Sequence, residues 1–465
     1  MRYIVYDTET SGLNTTFDQI FQFAAVLADD DLDEIDWFVM RCRRLPHIVP
    51  SPDALLVTGL RPVELEQADL SFHQMMVKAH RRLVEWSKQG AVFLGYNSMR
   101  FDETLLRQAL YQNLLPVYLT NTNGNIRGDV MRMVQACAVH YPKMITIPTD
   151  EAGSSTFKLG EVAAANGIVL DSAHDALADA RATLSVARLL RELIPYGWSW
   201  MLRMASKRGV QGALRADVLC LTDWYFRVPY SFMVTLAGGI TGASSEVAMF
   251  DLAHDPMTYL DLPHQTLGGY ITGETKILRR LRTNGQPMLF PANLAPDDVR
   301  GGRLSASVYI DRARRVQMHP RFRAMVTRAM SHLYCDQAPA EHVEQRIFDG
   351  FPPDDDLAVL RDFHNAAWGE RPSIARRFAD KRLRRLARRL ISVEQPGMLS
   401  AAERHRFDDF VASRLLAEGE VPWTTVAQAL SRVEQLSQSA DSEQRDRLAE
   451  IETYIRVIAE RAISR

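Results

Sequence analysis

Apolar residues follow two alternating patterns along the first 195 positions. Strand-like apolar runs are followed by stretches in which apolar residues recur every three or four positions. The strand-like runs are YIVYD, FQFAAVLADD, DWFVMRC and AVFLGYN, and the helical stretches are FDETLLRQALYQNL and HDALADARATLSVARLLREL. Pro195 and Gly197 follow the last helical stretch and mark a boundary. The alternation predicts an α/β domain over residues 1–195.

Two other patterns follow this domain. Residues 196–342 contain β-like runs broken by glycine clusters, namely ADVLCLTDWYFRVPYSFMVTLAGGITG, TYLDL, PMLFPANL and RLSASVYI. They predict a small antiparallel barrel or sheet. Residues 343–465 include the Pro- and Asp-rich stretch FDGFPPDDD, and then become rich in Leu, Ala and Arg at i, i+3 and i+4 spacing. That spacing predicts an all-α domain.

The composition is typical of a soluble protein with several domains. The 465 residues exceed what one hydrophobic core usually supports, and the chain is 46% hydrophobic and 24% charged. No run of 18 apolar residues occurs, and the first residues enter a strand-like run directly. We therefore expect a cytoplasmic protein that does not bind membranes. The cysteines, at 42, 137, 220 and 335, are too far apart to suggest a disulfide framework or a zinc site.

The charge of the chain does not by itself indicate a nucleic-acid-binding protein. The formal net charge is −2, whereas proteins that bind phosphate backbones usually carry a basic excess. Nine basic residues nevertheless lie within residues 371–389, where leucines recur at helical spacing. This run predicts a helix with one packed face and one cationic face. The cationic face is either simply solvated or a surface that contacts DNA.

Candidate chemistry begins with Asp7 and Glu9 at the end of the first predicted strand. Residues two apart in a strand point to the same face, so these carboxylates can share a metal ion. Asp102 falls in the first turn of a predicted helix, where an acid also serves as an ordinary helix-start residue. A solvated strand end and a capping acid are thus the alternative interpretations of these residues.

His174 and Asp179 open the second predicted helix. Asp171, Ser172 and Asp175 are better placed to cap it, which leaves His174 and Asp179 without an obvious structural duty. A surface or hydrogen-bonded structural role is the alternative for His174.

The five residues Asp7, Glu9, Asp102, His174 and Asp179 each lie at the edge of a predicted element. Oxygen-only ligands favour Mg²⁺ or Mn²⁺ over zinc. Two such ions about 3.5–4 Å apart can promote phosphodiester hydrolysis, with His174 as the general base.

These residues form three motifs that resemble those of the histidine-type DnaQ superfamily of 3′→5′ exonucleases. The motifs are D-x-E, N-x-x-x-F-D (Asn97, Phe101, Asp102) and H-x-A-x-x-D (His174, Ala176, Asp179). Within that superfamily the chain resembles bacterial exonuclease I, which degrades single-stranded DNA. The stretches that carry this resemblance are FDQIFQFAAVLAD, PDALLVTGLRP, GYNSMRFDE, STFKLGEVAAANGI and AHDALADA, and more weakly NGQPMLFPANLAPDD and VEQRIFDGF.

The resemblance implies a ribonuclease-H-like exonuclease domain with a mixed sheet and flanking helices. A small Src-homology-3-like barrel and an all-α C-terminal domain would follow it. It also implies that Asp7, Glu9, Asp102 and Asp179 hold two Mg²⁺ ions, for which Mn²⁺ substitutes, and that His174 deprotonates water. The expected reaction releases 5′-mononucleotides from single-stranded DNA, in DNA repair or recombination.

The resemblance further implies two substrate-binding positions besides Glu9. Lys158 occupies a position at which the family has an arginine. Lysine keeps the positive charge but lacks the planar guanidinium group of arginine. Arg107 matches a basic position that contacts the strand, although a solvated helix residue is the alternative. Independently of the resemblance, binding of a single strand requires aromatic faces on which bases stack, and Phe101, which flanks the motif residues, can serve as one. The implied partners are single-stranded DNA and the acidic C-terminal tail of single-stranded-DNA-binding protein, and the expected oligomeric state is a monomer.

Two other functions remain open from the sequence. The first is a 3′→5′ exoribonuclease, because the same motifs occur in enzymes that trim RNA. The motifs do not reveal whether the substrate carries a 2′-hydroxyl. The fold can also persist in a catalytically silent single-strand-binding scaffold. The intact acidic set argues against that second alternative.

Overall fold

The computed structural model describes residues 1–169, 175–239, 245–333 and 340–464. Its strands are β1 (Arg2–Thr10), β2 (Ile20–Ala28), β3 (Glu34–Arg41), β4 (Ala91–Gly95), β5 (Ile126–Asp129), β6 (Leu219–Tyr225), β7 (Val228–Gly239), β8 (Glu246–Asp251), β9 (Leu278–Arg282) and β10 (Leu289–Pro291).

The α-helices occupy all parts of the described chain. They are α1 (Pro52–Thr58), α2 (Pro62–Gln67), α3 (Phe72–Trp86), α4 (Asp102–Gln112), α5 (Val130–His140), α6 (Leu159–Ala165), α7 (Ala176–Leu193), α8 (Pro195–Met204), α9 (Lys207–Ala213), α10 (His264–Thr272), α11 (Ala306–Gln317), α12 (Pro320–His332), α13 (Asp354–Asn365), α14 (Arg371–Ala375), α15 (Lys381–Glu394), α16 (Ala401–Leu415), α17 (Val426–Ser437) and α18 (Ser442–Ile463). Short 3₁₀ helices lie at Leu119–Asn121, Pro256–Thr258, Ala292–Leu294, Val343–Arg346 and Pro396–Met398. Within the described ranges, no helix is both long and apolar enough to cross a bilayer.

The chain divides into two compact units. The first unit contains Met1–Asn125, Asp171–Arg181 and Ala340–Arg465, and the second contains Ile126–Leu170 and Ala182–Pro339. The C-terminal helices group with residues 1–125 because they share apolar cores with them. In one such core, Phe21 and Leu55 pack with Val411 and Ile455. The predicted three-domain division at 195 and 342 stays a prediction, and the two units cut the chain elsewhere.

The sheet of the first unit has the strand order β3-β2-β1-β4. β1 pairs antiparallel with β2 and parallel with β4, and β2 pairs antiparallel with β3. Every residue of β2 is buried, as expected for a strand covered on both faces. The predicted strands and the helix α4 are confirmed, and so is the mixed sheet. Helix α3 covers the sheet with a stripe that includes Phe72, Met76 and Leu83.

The second unit contains an antiparallel sheet in the order β10-β6-β7-β8-β9. It confirms the predicted antiparallel sheet, while the Src-homology-3-like description stays a prediction. The predicted strand RLSASVYI is wrong, because α11 begins at Ala306. Tyr309, Ala313 and Val316 are buried at helical spacing, whereas the β-branched Val308 and Ile310 that suggested a strand are exposed. TYLDL is not a strand either, since its first residue ends a 3₁₀ helix.

A buried ion triad joins segments of the all-α region in the first unit. Glu344 Oε1 accepts hydrogen bonds from Arg389 and Arg414, both at 2.6 Å. Burial by itself raises the pKa of Glu344, but the two guanidinium groups outweigh burial and lower that pKa to about 2. The carboxylate is therefore ionised in the folded protein at every pH above that value.

Replacing Glu344 with Gln should destabilise the protein because two buried guanidinium groups lose their counter-charge. We expect a loss of about 3 kcal/mol in unfolding free energy at pH 7. The folded pKa of about 2 lies below the ordinary 4.5, so this stabilisation is complete above pH 4.5 and disappears as the pH falls toward 2. Urea unfolding at several pH values measures it. Glu452→Gln, which breaks an exposed pair with Arg456, is the control. A loss equal to that of the control would contradict the prediction.

Candidate active site

Asp7 and Glu9 project from β1 beyond the end of its neighbour β4. The parallel pairing runs from Arg2–Ala91 to Val5–Leu94, so β1 continues past the last paired residue of β4. On the other side β1 stays paired with β2, with Asp7 opposite Ala24 and Glu9 opposite Gln22. The pairing with β2 thus fixes both carboxylates on one face of β1. On the other edge of β1, β4 is no longer paired at these positions.

The turn after β4 places Asp102 next to β1. Gly95 is required there, because a Cβ at this position would lie 2.5 Å from the Cβ of Ser98. Asn97 has a φ of +57°, in the left-handed region, and α4 begins at Asp102. The hydroxyl of Thr8 donates a 2.6 Å hydrogen bond to Asp102 Oδ1. Asp102 is buried, at 5% exposure, so it is more than a solvated cap.

Asp179 completes a cluster with the two carboxylates of β1. One oxygen from each of Asp7, Glu9 and Asp179 can be chosen so that all three lie within 4.8 Å of one another. Asp179 lies in the first turn of α7, and its N–H bonds the carbonyl of Asp175 at 3.0 Å. The structure therefore brings together residues that the sequence separates by up to 172 positions.

The cluster has an excess of negative charge. Burial raises the pKa of Asp7 well above its ordinary value, and the charges of Asp102, Glu9 and Asp179 raise it further. Burial and the charges of Asp179 and Asp102 raise the pKa of Glu9 to about 8. The dependence of both groups on Asp102 shows that this residue belongs to the same electrostatic cluster. Buried oxygen ligands that repel one another fit a divalent cation.

Arg41 is a neighbour of the cluster that the sequence analysis missed. It partly offsets the raised pKa of Glu9, and its guanidinium lies 3.7 Å from Asp175. Its position follows from strand register: Glu9 pairs with Gln22 on β2, and Gln22 pairs with Arg41 on β3. The alignment of these three residues across β1, β2 and β3 could have revealed Arg41 from the sequence, since all three strands were predicted.

Asp175 also accepts a hydrogen bond from the N–H of Leu177, which confirms its predicted capping role.

His174 lies outside the described residues, as do Asp171 and Ser172. The role of His174 as general base stays a prediction. Its neighbours in the motif, Ala176 and Asp179, are buried and half-buried respectively at the start of α7.

The three further substrate-binding candidates have the following surroundings. Arg107 is an ion-pair partner of Glu103 and a hydrogen-bond donor to Asn121, with its side chain only 12% exposed. A contact with a strand phosphate would have to compete with these bonds. The ammonium of Lys158 is 3.0 Å from Glu161 on an exposed side chain in the second unit. Phe101 is half-buried at the N-cap of α4. All three roles stay predictions.

The arginine run forms α15 and has the predicted packed face, with Leu383, Leu386 and Leu390 buried. Several of its arginines serve the fold. Arg382 pairs with Asp380, Arg384 donates to the carbonyl of Phe378, and Arg389 belongs to the Glu344 triad. Arg385 and Arg388 are exposed and border a cavity of about 410 Å³ in the same unit, together with Arg376 and Arg406. These exposed arginines are available for a DNA contact, whereas Arg382, Arg384 and Arg389 are engaged within the fold.

Comparisons with known proteins place this site in a family context. Residues 4–187 match the family model described as exonuclease, and residues 341–458 match the exonuclease I C-terminal domain. The predicted resemblance to exonuclease I is confirmed. Exodeoxyribonuclease I of Escherichia coli strain K12 is 26% identical over 429 residues, which cover 87% of this chain and 88% of that protein.

Solved structures of exonuclease I extend the resemblance to the fold. The moderately thermophilic exonuclease I of Methylocaldum szegediense is 27% identical, with a TM-score of 0.85 over 98% of this chain and 99% of that one. E. coli exonuclease I in complex with a dA16 oligonucleotide has a TM-score of 0.86 at 23% identity, with the same coverage. The exonuclease I fold thus spans nearly the whole chain, and all four acidic motif residues lie within the matched exonuclease segment.

Replacing Glu9 with Gln should stabilise the metal-free protein while removing its response to metal. The substitution relieves repulsion among buried carboxylates, so we expect a gain of about 1 kcal/mol in unfolding free energy at pH 8.5. Mg²⁺ should raise the melting temperature of the wild type but not that of the variant. Thermal unfolding with EDTA or with Mg²⁺ measures both effects. Glu85→Gln, an exposed residue of α3, is the control, and equal Mg²⁺ responses in all three proteins would contradict the prediction.

Proposed function

We propose that this chain hydrolyses single-stranded DNA from the 3′ end and releases 5′-mononucleotides. The observation that carries the proposal is the convergence of Asp7, Glu9 and Asp179, with Asp102 close enough to raise the pKa of the first two. The match of residues 4–187 to an exonuclease model supports it. The E. coli relative named exodeoxyribonuclease I and the similar structure that contains dA16 favour DNA as the substrate.

The donor set fits divalent metal ions. Asp7, Glu9, Asp102 and Asp179 offer only carboxylate oxygens, which are the ligands that Mg²⁺ prefers. We propose that these residues hold two Mg²⁺ ions and that Mn²⁺ substitutes. When bound, the ions would supply charge stabilisation to the phosphoryl oxygens.

The protein's own residues would handle the proton and the strand. His174 accepts the proton of the water that attacks the terminal phosphorus. The bond from phosphorus to the 3′ oxygen of the preceding nucleotide breaks, and that oxygen takes a proton from solvent, which leaves a 3′ hydroxyl on the shortened strand. Glu9 lies beside the terminal nucleotide, Lys158 and Arg107 offer positive charge to phosphates, and Phe101 stacks on a base. The acidic tail of single-stranded-DNA-binding protein stays a predicted partner.

A hairpin tip in the second unit exposes an aromatic ring that suits single-stranded nucleic acid. The two residues between β6 and β7, Phe226 and Arg227, have φ values of +51° and +65°. A turn of this kind favours Asn-Gly, and a bulky residue in the left-handed region costs about 1 kcal/mol. Phe226 is 99% exposed, and Arg227 pairs with Asp150. We further propose that the Phe226 ring stacks on a base of single-stranded DNA, because an exposed aromatic ring beside a cation suits single-stranded nucleic acid.

Removing the proposed catalytic groups should abolish hydrolysis. We expect Asp7→Ala and His174→Ala each to reduce mononucleotide release from 3′-labelled single-stranded DNA by about a hundredfold or more in Mg²⁺. Duplex DNA and a matched RNA should be poor substrates for the wild type. Glu85→Gln is the control. Preferred digestion of RNA would favour an exoribonuclease, and strand binding without any cleavage would favour a scaffold.

Replacing the hairpin tip by Asn-Gly should separate stability from binding. The double variant Phe226→Asn, Arg227→Gly should gain about 1 kcal/mol of unfolding free energy, because both residues tolerate a positive φ. It should bind a fluorescent oligothymidylate about fivefold or more weakly, since one base loses its stacking partner. Fluorescence anisotropy in EDTA at fixed salt measures the affinity. Phe348→Ala, which removes another exposed ring, is the control. Increased stability with unchanged affinity would exclude the ring from the strand contact.

A further inference from the structure

A large cavity lies in the first unit. Its volume is about 1120 Å³, which exceeds the roughly 300–1000 Å³ of common small-molecule sites. Helices α3 and α13 and the segments that follow α4 and precede α13 contribute to its wall. None of the four acidic motif residues lines it. The exonuclease chemistry proposed above therefore leaves this cavity unused.

Apolar side chains form most of the wall. Val77, Leu114, Val117 and Leu360 line the interior, and Trp368 adds an aromatic face. The apolar surface continues to the rim, where Phe351 is 81% exposed and Leu357 is 47% exposed. An apolar surface of this extent favours a ligand with an apolar body.

The charged residues of the wall are all cations. Lys78, Arg81, Arg361, Arg371 and Arg382 line the cavity, and no Asp or Glu does so within the described ranges. Arg382 is neutralised by Asp380. The others have no ion pair in the part of the chain that the structure describes. A one-signed lining is notable in a chain whose net charge is −2, and it favours an anion.

Arg371 is the decisive residue because it is buried and forms no direct ion pair among the described residues, although the charge of Glu394 acts on it from beyond ion-pair distance. Its exposure is 8%, and its guanidinium lies 3.8 Å from the ring centroid of Trp368. It bonds the carbonyls of Ala366 at 3.2 Å and His364 at 3.4 Å, and it lies 3.4 Å from Nε2 of His73. No carboxylate among the described residues lies within ion-pair distance of it. Long bonds to neutral acceptors compensate a buried charge poorly, whereas an anion in the cavity would compensate it well.

Histidines supply further polar atoms in the same wall. His73 and His364 stack with their ring centroids 5.8 Å apart. Burial lowers the pKa of His80 to about 4, so its ring is neutral near pH 7. Nε2 of His80 is buried and has no hydrogen-bond partner among the described residues. A ligand in the cavity can supply that partner.

We propose that this cavity binds a small amphipathic carboxylate. The carboxylate of the ligand pairs with Arg371, whose planar guanidinium group can donate two parallel hydrogen bonds to it. The apolar body of the ligand lies against the aliphatic wall of the cavity. A small ligand is favoured because Arg371 is almost wholly buried, so the anionic group must enter the cavity to reach it. Lys78, Arg81 and Arg361 attract the anion at the entrance. The site is independent of the proposed nuclease activity.

Calorimetric titration of the full chain with octanoate tests the proposal, with 1-octanol and inorganic phosphate as probes that each lack one half of the ligand. We expect saturable binding of octanoate, and binding at least tenfold weaker for each of the other two. Arg371→Met and the cavity-filling Leu360→Trp should each weaken octanoate binding at least tenfold. The double variant Arg81→Gln, Arg361→Gln should weaken it about threefold and reduce its salt dependence.

The controls separate this site from the active site and from misfolding. Asp7→Ala and Arg456→Gln should bind octanoate as the wild type does. Circular dichroism checks that each variant folds, and if Arg371→Met does not, Leu360→Trp and the rim variant decide the question. Octanol binding as tight as octanoate, no octanoate binding, or binding unchanged in the folded variants would overturn the proposal.

Discussion

Repulsion among carboxylates at the end of β1 is the constraint to which the first unit must respond. Asp7 and Glu9 are held together with Asp102 and Asp179 in a place where water cannot screen them well. β1 cannot shift to relieve the repulsion, because its pairing with β2 would move by one residue and turn every side chain to the opposite face. The sheet thus keeps an arrangement that is unfavourable without cations and well suited to them.

Buried charge is treated in three different ways in this unit. At the candidate active site negative charge is in excess, and a divalent cation would balance it. In the Glu344 triad one carboxylate pairs with two guanidinium groups inside the protein, so both cations have a direct partner. At Arg371 positive charge is buried with only neutral hydrogen-bond acceptors in contact, and Glu394 acts on it from beyond ion-pair distance. The first and last cases are those in which a ligand would improve the local electrostatics, while in the second the charges are paired within the protein.

Much of the fold and the site could be predicted because the relevant signals are local. Alternating apolar runs gave the first strands, and the three short acidic motifs gave the cluster. Arg41 was missed because its role depends on the register of three strands, although that register was in principle deducible. Helix α11 was missed because Val308 and Ile310 resemble strand residues but face solvent. The cavity around Arg371 could not be predicted, since it depends on packing between segments more than 200 positions apart.

The first unit is discontinuous along the chain, and this has a consequence for its biosynthesis. Residues that supply the carboxylates are translated before most of the second unit, but the helices that complete their unit, from Ala340 onward, are translated after it. At about 5–20 residues per second, translation of the intervening second unit occupies roughly ten to thirty seconds. During that time Phe21 and Leu55 lack their partners Val411 and Ile455. The nascent chain therefore carries the acidic motifs well before it has a complete core to support them, and the first unit can fold fully only after the helices from Ala340 onward have been made.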